Sequence, residues 1–137
     1  MRISDSDAEA ILNGFFGSGT PATLYIGILT AVPSNDGTGY TECSMTGYAR
    51  VTMTNNSTNF PNCVAGSRTK KNGTAIAFPS LTAGGPQVGQ GLGIFPSGTA
   101  GAGECLYYAP FTNGPQTFAN GSAPTYPADS VQISIVP

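Results

Sequence analysis

Residues 23–34, TLYIGILTAVPS, decide how the chain is read, because apolar side chains fill both parities of the run: Leu24, Ile26 and Ile28 on one, Tyr25 and Leu29 on the other. Successive side chains of an extended strand point to opposite faces, so a run that is apolar on both belongs to a strand covered from both sides, at the centre of a sheet. The expected strand is Thr23 to Thr30, closed by Pro33 and the Asn35-Asp36-Gly37 cluster. Downstream, GYTECSMTGYARVTM (39–53) spends one of the chain's few positive charges behind a Gly-rich turn. The second strand is expected over Gly47–Thr54, with Tyr48, Arg50 and Thr52 on one face and Ala49, Val51 and Met53 on the other. This alternation puts Arg50 on a solvent or interface face.

The remaining chain keeps the same rhythm. Gly 19 and Pro 11 in 137 residues cut it into short apolar runs, the pattern of a sandwich or barrel. SRTKKNGTAIAFPS (67–80) reads as a hairpin turning at Asn72-Gly73, with Arg68, Lys70 and Lys71 on an exposed arm. Further strands are expected near Val88–Phe95, over Glu104–Phe111, and at the end, where Val131, Ile133 and Ile135 alternate with polar residues. One helix is signalled near the N-terminus. Ser6 and Glu9 form a capping-box pattern, Ala8, Ile11, Leu12, Phe15 and Phe16 make an apolar stripe, and Gly17 supplies the stop. So short a helix is marginal alone, and its stripe must dock on its own domain or on a neighbouring subunit. The fold class is mainly β: a single antiparallel β-sandwich or barrel-like domain (21–137) behind a short amphipathic helix within an N-terminal attachment segment (1–20).

Composition excludes several functions. Charged residues make up 9% of the chain and the net charge is −2, so no basic field exists to collect phosphates, and nucleic acid is not an expected partner. No apolar run is long enough for a membrane helix, and MRISDSDAEAILNGFF lacks the build of a signal peptide. The absence of histidine removes the commonest general base and metal ligand. Two carboxylates from Asp36, Glu42, Glu104 and Asp129 would suffice for glycoside cleavage, yet each sits at a turn or strand end, where acids serve as solvated boundary residues. Cys43, Cys63 and Cys105 are too scattered for a zinc site or a disulfide framework and read as free thiols. Gly89, Gly91 and Gly93 lack dinucleotide-fingerprint spacing. Tyr107-Tyr108 suggests a sugar-stacking platform, but neighbours on a strand face opposite ways. The sequons at Asn55, Asn56, Asn72 and Asn120 matter only in a secreted eukaryotic chain. The expectation is a non-enzyme without metal or cofactor.

The order LYIGILTAVP, GTGYTEC, GYARV, IAFPS, GLGIFPSGTAGAGECLYYAPF and a terminal strand resembles a family of small bacteriophage virion proteins of the tail-fibre or head-decoration type, across roughly residues 8–136. The resemblance implies a β-sandwich that serves as a virion part, made in a bacterial cytoplasm, and it carries no catalytic residues. The leading expectation is a capsid decoration (cement) protein on the outer head, assembled as a homotrimer and bound to the major capsid protein. A tail-fibre or tail-tip module meeting the host surface, with a host glycan as ligand, is the alternative; a carbohydrate-binding module is the third. Expected interface residues are Ile11, Leu12, Phe15, Phe16 and Arg50, with Arg50 pairing Glu42 across the turn.

Overall fold

The structure, a computed structural model, describes residues 3–135. Among the described residues it is mainly β and sandwich-like, with one N-terminal helix, antiparallel pairing throughout and no closed barrel. Helix α1 (Asp5–Phe15) is followed by β1 (Thr23–Ala31), β2 (Thr41–Glu42), β3 (Val51–Thr54), β4 (Thr69–Lys71), β5 (Ile76–Ala77), β6 (Gln87–Gly89), β7 (Gly91–Phe95), β8 (Tyr107–Pro110), β9 (Gln116–Phe118), β10 (Thr125–Tyr126) and β11 (Gln132–Ser134). The main sheet runs β2-β1-β7-β8, and β3 lies end to end with β2 along the same edge of β1. Three two-stranded ribbons, β5-β10, β4-β11 and β6-β9, complete the body.

β1 is central, as its double-sided apolar pattern requires. Leu24, Ile26 and Ile28 join the principal core with Leu92 and Ile94 of β7, while Leu29 packs on the other face with Phe95 and Cys105, flanked by Tyr25, Tyr40 and Tyr108. That second face is shaped by glycine. Gly27 and Gly93 are register partners, and a Cβ on Gly93 would stand 2.8 Å from the Phe95 ring, so the paired glycines make the floor on which that ring lies.

α1 docks on its own chain. Ala8, Leu12 and Phe16 are fully buried, and Phe16 packs against Phe60 and Tyr107 with ring centroids 5.3 and 4.8 Å away. Its cap lies one pattern earlier than Ser6-Glu9: Ser4 is the N-cap, its Oγ accepting the Asp7 N–H at 3.1 Å. Gly17 ends the helix at φ +88°, and buried Asn55 ties that end down, donating Nδ2 to Phe15 O and Pro21 O and accepting the Gly17 N–H at 2.6 Å.

The expected Asn72-Gly73 hairpin does not form. β4 pairs with β11 and β5 with β10, so the two strands flanking Asn72-Gly73 diverge to different C-terminal partners. Asn72 is 2% exposed; its Nδ2 donates to Thr74 O and Pro127 O, and its Oδ1 accepts the Val131 N–H. The side chain therefore organises the loop between β10 and β11 rather than a tight turn of its own. Lys70, expected on an exposed arm, is fully buried beneath α1. The run near Val88–Phe95 is two strands, not one, dividing at Gln90, whose N–H goes to Leu29 O.

Candidate functional site

The Tyr-Ala-Arg triplet sits where the edge of β1 changes partner. β3 pairs with Thr23 to Ile26 and β2 begins at Leu29, which leaves the Ile28 N–H facing a gap. The Tyr48 hydroxyl accepts that N–H at 3.0 Å and donates to Glu42 Oε2 at 2.8 Å. Arg50, two residues on and on the same side, grips Glu42 Oε1 through Nη2 at 2.6 Å and Nε at 3.0 Å. Its Nη1 donates to Ser97 O and Ala102 O, and its guanidinium lies 3.6 Å over the Phe95 ring. The side chains of Arg50 and Glu42 are 0% and 6% exposed, so the wet face expected for Arg50 is a correction: the arginine is an interior plug. Gly27 leaves room for Arg50's partners, since a Cβ there would stand 2.7 Å from the Tyr48 oxygen and 3.3 Å from Glu42 Cδ. Burial works against the Arg50 charge, but the Glu42 hydrogen bonds and charge outweigh it and raise its pKa. Burial first, then the Glu42 charge, push the Tyr48 phenol far above the ordinary tyrosine range, so it remains a neutral donor. A saturated, neutralised cluster of this kind offers no reactive group. Its work is to close the sheet.

A concave site of about 300 Å³ opens elsewhere, between the end of β8, the turn after it, β9 and β10. Leu92, Ala109 and Phe118 line it, and Phe111 and Tyr126 stack in parallel with centroids 5.5 Å apart. Gln116 accepts the Tyr126 hydroxyl at 3.0 Å through Oε1. Asn113, Thr112, Thr125 and Ser130 add amides and hydroxyls, and among the described residues no charged side chain contributes to the lining. Burial pushes the Tyr126 phenol well above its usual range, which keeps this residue uncharged too. An apolar floor with neutral hydrogen-bonding groups suits an uncharged, hydroxyl-rich ligand.

The residues singled out from sequence do not converge on one place. Leu12 and Phe16 are enclosed in the chain's own core, Phe15 is half-buried against Tyr107, and Ile11 is 49% exposed. Tyr107 packs on the helix aromatics while Tyr108 joins the opposite face, so they form no shared platform. Asp36 is held by Thr38 in a turn, where hydrogen bonds from the Thr38 hydroxyl and N–H keep its carboxyl below the usual range. Glu42 is spent on Arg50, and Asp129 occupies a left-handed backbone position at φ 66°. Among the described residues no three of His, Cys, Asp and Glu gather as a metal set. Cys43 and Cys105 are buried, Cys63 is half-buried, and all three are free thiols.

The family model described as podophage GP4 fiber I protein gp80 matches residues 2–134. The chain belongs to that family. It is a bacteriophage virion structural protein, as the ordered motifs implied, although the match does not single out those motifs. A search of curated proteins found no match.

Proposed function

We propose that the chain is a fibre module of a podophage virion, mounted on the tail and meeting the host surface, and that it works by binding and shape without catalysis or a cofactor. The observation that carries this reading is the fibre family match over residues 2–134, which fits a tail mounting better than the decoration of a head. The molecule suits the part. A surface poor in charge, with 9% charged residues overall and Arg50 and Lys70 drawn inside, favours lasting contact over long-range attraction. The chain assembles as a homo-oligomer in this reading, with exposed Ile11, Val32, Val64, Val88 and Leu106 supplying apolar contact area. The neutral groove at Phe111, Gln116 and Tyr126 is the surface we assign to an uncharged host glycan.

The test labels intact virions with gold-conjugated antibody against the chain and images them. Gold at the tail supports the reading, while gold spread over the head restores the decoration role. Purified protein added before infection should also compete with phage for adsorption, and Gln116→Ala should weaken that competition. Unimpaired adsorption at saturating protein would remove the host-contact part.

A further inference from the structure

Among the described residues Lys70 is a buried amine with no carboxylate in ion-pair contact. It is fully enclosed, and the only partner of its Nζ among the described residues is Asn13 Oδ1, at 2.7 Å. Uncompensated ammonium groups are costly to bury, and a chain that keeps one gains by neutralising it. The Asn13 side chain is arranged as an acceptor of attack. Its Oδ1 also takes the Cys63 backbone N–H at 3.0 Å, a donor that stays in place to polarise the carbonyl when the Lys70 amine turns from Oδ1 to present its lone pair to Cγ, while its Nδ2 has no partner among the described residues. The two residues lie on different elements, α1 and β4, which pack together and hold amine and amide in contact.

We infer that Lys70 and Asn13 join in an intramolecular isopeptide bond that staples α1 to β4. Nζ, as the free amine, attacks Asn13 Cγ; a C–N bond forms, the proton released from Nζ ends on Nδ2, the Cγ–Nδ2 bond breaks, and ammonia leaves. Nothing is oxidised or reduced, and the product is a neutral secondary amide in place of a buried amine. Burial lowers the Lys70 pKa, which enlarges the fraction present as free amine. Glu9, one helical turn before Asn13, holds the Gly66 N–H at 3.1 Å through Oε2, and its carboxylate is the one we assign to the proton transfer. Contact held in a folded frame supplies the high effective concentration that this otherwise slow reaction needs. A covalent tie between helix and body would suit a part that must survive attachment to a cell.

The test is the intact mass of the folded, full-length protein, followed by digestion under denaturing conditions and fragmentation. The expected result is a mass short by one ammonia and a branched peptide joining the fragment with Asn13 to the fragment with Lys70. Lys70→Met and Asn13→Ala should each restore the full mass. A full mass in aged wild-type protein, with free fragments, overturns the proposal. So does an ammonia loss that maps to a succinimide at an Asn-Gly step such as Asn13-Gly14 or Asn72-Gly73. Glu9→Gln should slow linking about a hundred-fold; an unchanged rate overturns the role given to Glu9.

Discussion

Replacing Arg50 by alanine tests whether the triplet at 48–50 closes the sheet. The substitution removes both hydrogen bonds to Glu42 Oε1, the donors to Ser97 O and Ala102 O, and the cation over Phe95. The dominant loss is the charge balance: Glu42, 6% exposed, would lose its cationic partner and keep the Tyr48 hydroxyl as its donor. Breaking a buried pair from one side costs about 3–5 kcal/mol, whereas an exposed pair contributes only about 0–1. For a domain of this size each kcal/mol moves Tm by roughly 3–5 °C, so Arg50→Ala should lower Tm by roughly 10–20 °C. Arg50→Lys keeps the charge but loses the two-pronged grip and should fall between wild type and Arg50→Ala. The double variant Arg50→Leu with Glu42→Leu removes the stranded charge and should recover much of the loss. Thermal and urea unfolding followed by circular dichroism gives these values. An Arg50→Ala cost under about 1 kcal/mol, or a double variant no better than the single, would refute the interior-plug account.

Other expectations follow from the same packing. Leu12→Ala, at a fully buried helix position, should cost about 2–5 kcal/mol, while Ile11→Ala should stay within about 0.5 kcal/mol; denaturant titration of both distinguishes a docked stripe from a free one. Gly73→Ala would drive a Cβ into Thr58 O and Pro61, and Gly47→Ala would meet Ser80 O from a backbone at φ +91°, so each should destabilise by about 2 kcal/mol or more in the same assay. Burial raises the phenol pKa of Tyr48, Tyr107, Tyr108 and Tyr126. Their contribution is therefore complete below the unfolded tyrosine value near 10 and is lost as pH rises above it. Ultraviolet titration should show the Tyr48 and Tyr126 phenols, the most strongly raised, ionising together with unfolding; their smooth ionisation in a still-folded protein would contradict their enclosure.

Short-range pattern carried the central strand, the helix stripe and the alternation at Ile133, because each depends only on neighbours along the chain. What failed depended on distant partners. Asn72-Gly73 has the local chemistry of a hairpin, but the better pairing for the flanking strands lies far along the chain, with Lys70 opposite Ile133 on β11 and Ile76 opposite Tyr126 on β10. Ser4-Asp7 and Ser6-Glu9 both carry a cap pattern, and the register of the buried stripe selects the first. Arg50 reads as wet because it alternates with the apolar Ala49, Val51 and Met53 and shares its face with Thr52; the gap between β2 and β3 that encloses it arises from strand register, not from composition. The groove combines Leu92, Phe111, Gln116 and Tyr126 from separate strands and turns. Its one local signal is the aromatic cluster YYAPF at 107–111, of which Phe111 forms the groove wall while Tyr107 and Tyr108 pack on other faces.

The most direct test of the central claim is the number of copies of this chain per virion, measured by quantitative mass spectrometry of purified particles against the major capsid protein. A tail fibre module should be present in a small number of copies, matching the symmetry of the tail. Hundreds of copies, in fixed ratio to the capsid protein, would contradict the account and place the chain on the head.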